Sequence, residues 1–193
     1  MRIERLVVAS KNEDKLREMK AVLLGLGLVN ELVAGLDWPD VEETEPTLEG
    51  NALLKARAVA AATGLPSLAD DTGLEVDALD GAPGVRSSRY AGEEASYADN
   101  VRVLLEHLSG ETERSARFRT VMALIIPGRE EIVAEGVLEG RIIETPRGDS
   151  GFGYDPVFLV KGRTLAELGP VEKNAISHRG RALRALAEKL RRM

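Results

Sequence analysis

The chain has 193 residues, of which 44% are hydrophobic, so it is long enough to bury the core of one domain. A formal net charge of -6 and a pI near 5.2 argue against a general nucleic-acid-binding protein, which needs a surplus of Lys and Arg. There is no cysteine, which excludes disulfides, thiolate zinc sites and thiol nucleophiles, and no apolar run approaches the roughly 20 residues of a membrane span, so we expect a cytoplasmic protein.

The first half of the chain is predicted to alternate strands with helices. Its apolar patterns predict a strand, a helix, a strand, a second helix and two extended segments, over residues 5–10, 13–24, 29–34, 47–63, 67–71 and 73–78. Thr47 is placed to cap the second helix and Gly64 to end it. An acidic loop containing two prolines precedes this helix, and a Gly-Ala-Pro-Gly turn at residues 81–84 follows the extended segments.

The second half is predicted to contain a helix, two long strands, a short strand and a final helix, over about residues 96–108, 118–126, 132–143, 156–160 and 171–190. Ser96 and Asp99 have the spacing of a capping box. The Pro127-Gly128 turn between the two long strands is typical of an antiparallel hairpin. No internal repeat or linker divides the sequence, so residues 1–193 are expected to form a single domain.

Two lysines, Lys11 and Lys15, flank the start of the first predicted helix. A helix N-terminus presents free backbone N–H groups and the positive end of the helix dipole, which suit a phosphate. Because the dipole disfavours lysines in this turn, their presence hints at a bound anion. The alternative is structural: Asn12 or Ser10 caps the helix and the neighbouring acidic residues offset the lysines. The glycine spacing of a P-loop is missing.

Asp70 and Asp71 are adjacent carboxylates at the end of an apolar segment. Neighbouring side chains of an extended chain point to opposite faces, so only one of the pair can address a given site. Magnesium takes one or two carboxylates together with water and substrate phosphates, and Glu42 or Glu43 of the acidic loop can supply the second carboxylate. The alternative is an Asx-turn at Asp71, bent by Gly73, beside a solvated acidic loop.

Two further segments carry hydrogen-bond donors and an aromatic ring. Lys173 lies at the edge of the apolar stripe of the final helix, and a partly buried lysine needs an anion. His178 and Arg179 add donors, although alone they are more typical of an exposed helix face. Phe152 lies between glycines, where its ring can stack on a base or pack into the core. The sequence therefore offers donors for phosphate, carboxylates for a metal ion, an aromatic ring for stacking and donors for the edge of a base. Together these predict a nucleotide hydrolase.

In this order and spacing, the motifs resemble the inosine triphosphate pyrophosphatase family nearly end to end. The blocks that carry the resemblance are Ser10-Lys11-Asn12 through Lys15, Glu49-Gly50-Asn51-Ala52 with Lys55-Ala56, Leu68-Ala69-Asp70-Asp71-Thr72-Gly73-Leu74, Gly81-Ala82-Pro83-Gly84, Phe152-Gly153-Tyr154-Asp155-Pro156 and Glu172-Lys173 through Ser177-His178-Arg179. The resemblance implies an α/β fold with a long curved mixed β-sheet and flanking helices, two lobes around a central nucleotide cleft, and a homodimer. It also implies Mg2+-dependent hydrolysis of non-canonical purine nucleoside triphosphates, namely ITP, dITP and XTP, to the monophosphate and pyrophosphate.

The resemblance also implies which residues form the site. It places the catalytic base and a metal ligand on Asp71, and the second metal ligand on Glu42 or Glu43. The implied substrate-binding residues are Ser10, Lys11, Asn12, Glu13, Asp14, Lys15, Thr72, Phe152, Gly153, Tyr154, Asp155, Lys173, His178 and Arg179. Thr72 stands where many members have serine, and Lys11 where many have a small or neutral residue.

Within this set, Lys15 and Lys173 are expected to neutralise the triphosphate, and His178 and Arg179 to donate to the keto group at the six-position of the purine. Adenine has an amino donor at that position, so ATP would leave buried donors unpaired, at a cost of roughly 1–3 kcal/mol for each group.

Two other functions fit the same residues. A pyrophosphatase for other altered nucleotides would keep the metal and phosphate ligands and differ only in its base pocket. A nucleotide-sensing protein would bind nucleotide and metal without activating water. Consumption of nucleotide when magnesium is added separates the sensor from the enzymes.

Overall fold

A computed structural model describes residues 2–193, which contain eight strands of one mixed sheet. The strands are β1 (Ile3–Val8), β2 (Val29–Val33), β3 (Ser67–Val76), β4 (Pro83–Gly84), β5 (Ser115–Ile125), β6 (Ile132–Ile142), β7 (Phe158–Val160) and β8 (Arg163–Thr164). Their order is β2-β1-β3-β5-β6-β7-β8, and β4 pairs with β3. Strand β1 is parallel to β2 and β3, whereas β7 is antiparallel to β6 and β8, so the expected mixed α/β fold is confirmed.

Five α-helices lie within the same described residues: α1 (Glu13–Leu26), α2 (Leu48–Thr63), α3 (Tyr97–His107), α4 (Pro170–Ile176) and α5 (His178–Arg192). Three short 3-10 turns are Asp77–Leu79, Ser87–Arg89 and Leu165–Glu167. The predicted caps are confirmed, because Thr47 caps α2 and Ser96 forms a capping box with Asp99 at α3. None of the helices in the described part of the chain has the length and apolarity that a membrane crossing requires.

The chain divides into two compact units, each with its own apolar core. Unit 1 comprises Met1–Asp71, Thr120–Gly136 and His178–Met193, and unit 2 comprises Thr72–Arg119 and Val137–Ser177. In unit 1, β1, α1 and α5 bury a core that includes Leu6, Met19, Leu23, Leu183 and Leu186. In unit 2, the core includes Leu74, Leu104, Ile142, Val157 and Phe158. Both cores are built from apolar side chains at the spacing of helices and strands.

The single C-terminal helix predicted for residues 171–190 is wrong, because this segment folds as α4 and α5. Ser177 between them has an extended backbone, with φ -61° and ψ 154°. Serine favours helix ends because its hydroxyl competes for local backbone hydrogen bonds. The predicted apolar stripe is divided as well: Leu183 and Leu186 belong to the core of unit 1, whereas Ile176 packs against the core of unit 2.

Gly136 in β6 lies against the backbone of α5. A Cβ atom at Gly136 would lie 2.2 Å from the His178 carbonyl oxygen and 2.3 Å from the Ala182 nitrogen. We therefore expect Gly136→Ala to lower the free energy of unfolding by about 1–3 kcal/mol, the usual cost of overpacking, as measured by urea denaturation.

The matched control is Gly25→Ala in α1, where the added Cβ meets no described atom within 4 Å apart from its chain neighbours and the adjacent backbone of its own helix. This change should raise the free energy of unfolding by about 0.4–1 kcal/mol, because alanine restricts the unfolded chain. A Gly136→Ala variant as stable as the original chain would show that α5 moves to accept the methyl group.

Candidate active site

Asp71 in β3 lies beside two side chains of α2. Asn51 Nδ2 is 3.3 Å from Asp71 Oδ2, and Lys55 Nζ is 3.4 Å from Asp71 Oδ1. Asn51 and Lys55 are four residues apart, so they lie on one face of the helix. Lys55 Nζ also lies 2.5 Å from Glu43 Oε1. In these four residues, the Asp71 cluster, one ammonium group contacts two carboxylates.

The Asp71 cluster favours proton uptake at Asp71. Burial raises the pKa of the Asp71 carboxyl, and the negative charge of Glu43 adds to this rise, although Lys55 opposes it. Burial alone would lower the pKa of Lys55, but the carboxylates of Asp71, Asp70 and Glu43 outweigh it and raise that pKa. Asp71 is therefore a better proton acceptor than an ordinary aspartate, and Lys55 keeps its charge.

Asp70, the preceding residue, is surrounded by a different set of side chains. Its Oδ2 lies 3.1 Å from Arg179 Nη2 in α5 and 3.4 Å from Lys15 Nζ in α1. Arg179 Nη1 also lies 2.5 Å from Glu18 Oε2 in α1. The side chains of Asp70 and Arg179 are only 1% and 2% exposed. We call Lys15, Glu18, Asp70 and Arg179 the Asp70 cluster.

The pKa values of the two adjacent aspartates are shifted in opposite directions. Burial alone would raise the pKa of Asp70, but Lys15 and Arg179 outweigh it and hold that pKa well below its usual range. Asp70 is thus a permanently charged partner for Arg179. Asp71 lies inside β3, not in an Asx-turn, and the alternation of side chains along the strand directs it to α2. The geometry favours Asp71 as the reactive carboxylate.

The start of α1 is capped by its own chain. Asn12 Oδ1 accepts hydrogen bonds from the N–H groups of Asp14 and Lys15, at 3.0 and 3.1 Å. Ser10 Oγ accepts a hydrogen bond from the Asn12 N–H at 3.2 Å. The capping interpretation of this segment is confirmed, so two N–H groups at this helix end are already bonded to Asn12.

The charged residues on either side of this cap lie at the surface. Lys11 Nζ is 2.5 Å from Asp40 Oδ1, so the acidic loop balances the charge of Lys11. Glu13 is exposed. Of the two glutamates considered as metal ligands, Glu42 is exposed, whereas Glu43 belongs to the Asp71 cluster. The geometry therefore favours Glu43 over Glu42.

In unit 2, the buried residues Asp155 and Lys173 and the half-buried Phe152 form the Asp155 cluster. Asp155 Oδ2 accepts a hydrogen bond from the Phe152 N–H at 2.8 Å and another from the Lys173 ammonium group. Lys173 Nζ lies 4.7 Å from the centroid of the Phe152 ring. The side chains of Lys173 and Asp155 are 6% and 4% exposed. The prediction that a buried lysine has an anionic partner is confirmed, and that partner is Asp155.

The aromatic residues of the same loop have different environments. Tyr154 is buried and its hydroxyl donates a hydrogen bond to the Ser87 carbonyl oxygen at 2.8 Å; burial raises the pKa of this hydroxyl. The Phe152 ring contacts the Tyr97 ring of α3, with centroids 5.8 Å apart. Both rings line a cavity of about 990 Å³ formed by α3 and the loop at residues 146–156. Phe152 is therefore the more accessible aromatic of this loop.

The remaining predicted residues are buried or half-buried. Thr72 follows Asp71 in β3, and Gly153 lies in the aromatic loop of unit 2. His178 and Arg179 begin α5 and are 4% and 2% exposed, so an exposed helix face, the alternative considered for them, is wrong. His178 Nδ1 lies 2.6 Å from Thr120 Oγ1 in unit 1.

Glu43 and Asp71 are the carboxylates best placed to hold a divalent cation. Among residues 2–193, no group of three or more His, Cys, Asp or Glu side chains is arranged to hold a metal ion. A protein usually binds magnesium through one or two carboxylates, with water and substrate phosphates completing its ligands. Glu43 and Asp71, which both contact Lys55, supply the number of carboxylates that such a magnesium ion takes.

Three residues of these clusters received no role from the sequence. Asn51 and Lys55 lie in a block that carried the family resemblance, and their four-residue spacing on a predicted helix was a usable signal. Glu18 lies three residues after Lys15 on the first predicted helix, so the two share a face. The partner of Glu18, Arg179, is 161 residues away in sequence. No local pattern links residues at that separation.

Comparisons with known proteins show the family of this chain. Residues 6–189 match the Ham1 family. The chain is similar to proteins named dITP/XTP pyrophosphatase from Geobacter sulfurreducens, with 52% identity over 191 residues (96% of each chain), and from Bacillus licheniformis, with 48% identity over 190 residues (96% of this chain and 97% of the relative).

Solved structures show the same relationship. The chain is similar to a HAM1 protein from Coxiella burnetii, with a TM-score of 0.86 and 45% identity, covering 99% of this chain and 100% of that one. It is also similar to the Ham1 protein of Staphylococcus aureus, with a TM-score of 0.85 and 39% identity, covering 97% and 98%. The resemblance found in the sequence motifs is confirmed. The chain belongs to the Ham1 family.

Proposed function

We propose that this protein hydrolyses non-canonical purine nucleoside triphosphates, namely ITP, dITP and XTP, to the monophosphate and pyrophosphate, and so clears them from the nucleotide pool. The observation that carries this proposal is the Asp71 cluster, in which a buried proton acceptor lies beside a charged lysine and a second carboxylate. The names of the similar pyrophosphatases supply the substrate class.

We assign the cation site to Glu43 and Asp71, which would hold Mg2+ when the nucleotide binds. The bound ion would screen the triphosphate charge and polarise its phosphate oxygens. This assignment is supported by the carboxylate pair of the Asp71 cluster and by the ordinary preference of magnesium for oxygen ligands.

We assign the proton transfer to Asp71. The oxygen of a water molecule forms a bond to the α-phosphorus while Asp71 accepts a proton from that water. The bond from the α-phosphorus to the oxygen that bridges to the β-phosphorus breaks, and pyrophosphate leaves. The ammonium groups of Lys15 and Lys55 stabilise the negative charge that moves toward the leaving pyrophosphate.

We assign base stacking to Phe152, whose ring can face a purine. The donor to the keto group stays the predicted His178. Arg179, predicted as a second donor, is bonded to Asp70 and Glu18, so we assign it to holding Asp70 in place. We further propose that residues 1–193 act as a single domain, in a cytoplasmic homodimer.

Product analysis tests this function directly. The purified protein is incubated with Mg2+ and with ITP, dITP, XTP, GTP, ATP or modified pyrimidine triphosphates, and the products are separated by chromatography. We expect monophosphate and pyrophosphate, formed fastest from ITP, dITP and XTP. Diphosphate with orthophosphate would show attack on a different phosphorus. Binding without turnover would favour a nucleotide sensor. Preferred cleavage of modified pyrimidine triphosphates would show that the substrates are altered pyrimidine nucleotides instead of non-canonical purines.

A further inference from the structure

We propose that Lys173 is a positioning residue for base recognition: it holds the loop from Phe152 to Asp155 in shape instead of binding the triphosphate. The inference deepens the proposed function and rests on it. Lys173 thereby stabilises one loop and, by holding Phe152 in place, increases the affinity for the base.

The Asp155 carboxylate is the centre around which the loop folds. Its Oδ2 accepts the Phe152 N–H, which closes the loop over three residues. A Cβ atom at Gly151 would lie 2.1 Å from the same oxygen, and Gly151 has a positive φ of 76°. Only glycine fits both the conformation and the space. The loop is therefore built closely around a buried negative charge.

Lys173 supplies the positive charge that this carboxylate needs. Its ammonium group bonds to Asp155, and its backbone N–H bonds to the Gly169 carbonyl oxygen at 2.9 Å in the first turn of α4. Moving the ammonium group to a phosphate would leave Asp155 buried without this counterion, which is strongly unfavourable. Lys173 is thus committed to Asp155 before any nucleotide binds.

Lys173 also contacts the ring that is assigned to the base. Its Nζ lies 4.7 Å from the Phe152 ring centroid, a distance at which a cation and an aromatic face attract each other. Asp155 fixes the backbone of Phe152 and Lys173 fixes its ring. Loss of Lys173 should therefore loosen both and weaken base stacking, without removing a phosphate ligand.

The test compares Lys173→Met, which removes the charge, with Lys173→Arg, which keeps it. We expect Lys173→Met to raise the KM for ITP by roughly 10-fold, the size of a lost stacking contact, with little change in kcat. Lys173→Arg should recover part of this loss. Inorganic tripolyphosphate, which has no base, should inhibit all three proteins with the same inhibition constant. Lys161→Met, at an exposed lysine of the same unit, is the control for net charge.

Amide hydrogen exchange tests the loop without relying on activity. In Lys173→Met, the Phe152 amide should exchange faster than in the original chain, because its acceptor Asp155 has lost its counterion. Weaker inhibition by tripolyphosphate with unchanged Phe152 exchange would show that Lys173 binds phosphate and would overturn the inference. An original chain that does not hydrolyse ITP would instead overturn the proposed function.

Asp155→Asn gives an independent variant if Lys173→Met does not fold. Asparagine can still accept the Phe152 N–H but has no charge for Lys173, so it should raise the KM for ITP as Lys173→Met does. Asp155 is itself an anion, so its loss cannot remove a phosphate ligand. An unchanged KM for ITP in Asp155→Asn would contradict the positioning role.

Discussion

Replacing Asp71 with Asn is expected to lower the turnover of ITP by roughly 10²- to 10⁴-fold, the usual contribution of a general base. Asparagine has the same shape but cannot accept the proton of the attacking water. The fold should persist, because Lys55 still contacts Glu43 at 2.5 Å after the charge of Asp71 is lost. Steady-state release of pyrophosphate measures the turnover, and urea denaturation measures the free energy of unfolding.

Asp80→Asn is the matched control for this substitution. Asp80 is exposed and has a positive φ of 51°, a conformation that asparagine adopts as readily as aspartate. The turnover and the free energy of unfolding of the Asp80→Asn variant should stay close to those of the original chain. If Asp71→Asn keeps a near-normal rate while folding normally, another group accepts the proton and the assignment of Asp71 is wrong.

Replacing Arg179 with Met is expected to lower the free energy of unfolding by about 3–5 kcal/mol, the usual effect of removing one partner from a buried ion pair. Asp70 would keep Lys15 at 3.4 Å, but it would lose the guanidinium hydrogen bonds at 3.1 and 3.3 Å. Glu18 would lose a partner as well. Urea denaturation should show a lower midpoint with an unchanged slope.

Arg191→Met, at an exposed arginine of the same helix, is the control and should change the free energy of unfolding by less than about 0.5 kcal/mol. The double variant Arg179→Met with Asp70→Asn should regain part of the loss, because the buried carboxylate no longer lacks its partner. A stable Arg179→Met variant that accepts ATP as readily as ITP would show instead that Arg179 contacts the base.

The parts of the fold that depend on local sequence could be predicted. Thr47, Ser96 and Asp99 cap helices through contacts within a few residues, so their spacing was sufficient. The break at Ser177 could not be predicted from the apolar stripe, because the stripe continues through it. Residues before and after Ser177 pack into the cores of different units, and that separation is a property of the tertiary fold.

The candidate site was predictable as a set of residues but not as a set of contacts. The sequence indicated that one of Asp70 and Asp71 serves the site, because side chains alternate along a strand. Their distinct environments depend on α1, α2 and α5, and Arg179 lies 109 residues from Asp70 in sequence. The pairing of Lys173 with Asp155 could not be predicted from the sequence either. Patterns read along the sequence do not report pairings at such separations.

The register of β3 limits which changes in chain length the family can tolerate here. Val7 pairs with Ser67 and Val8 with Leu68, and the two aspartates follow directly. One residue inserted or deleted between this pairing and Asp70 would exchange the faces of the two carboxylates. The position facing α2 would then belong to the other residue of the pair. Insertions and deletions that survive selection in relatives should therefore avoid residues 67–71 and accumulate in the surface loops.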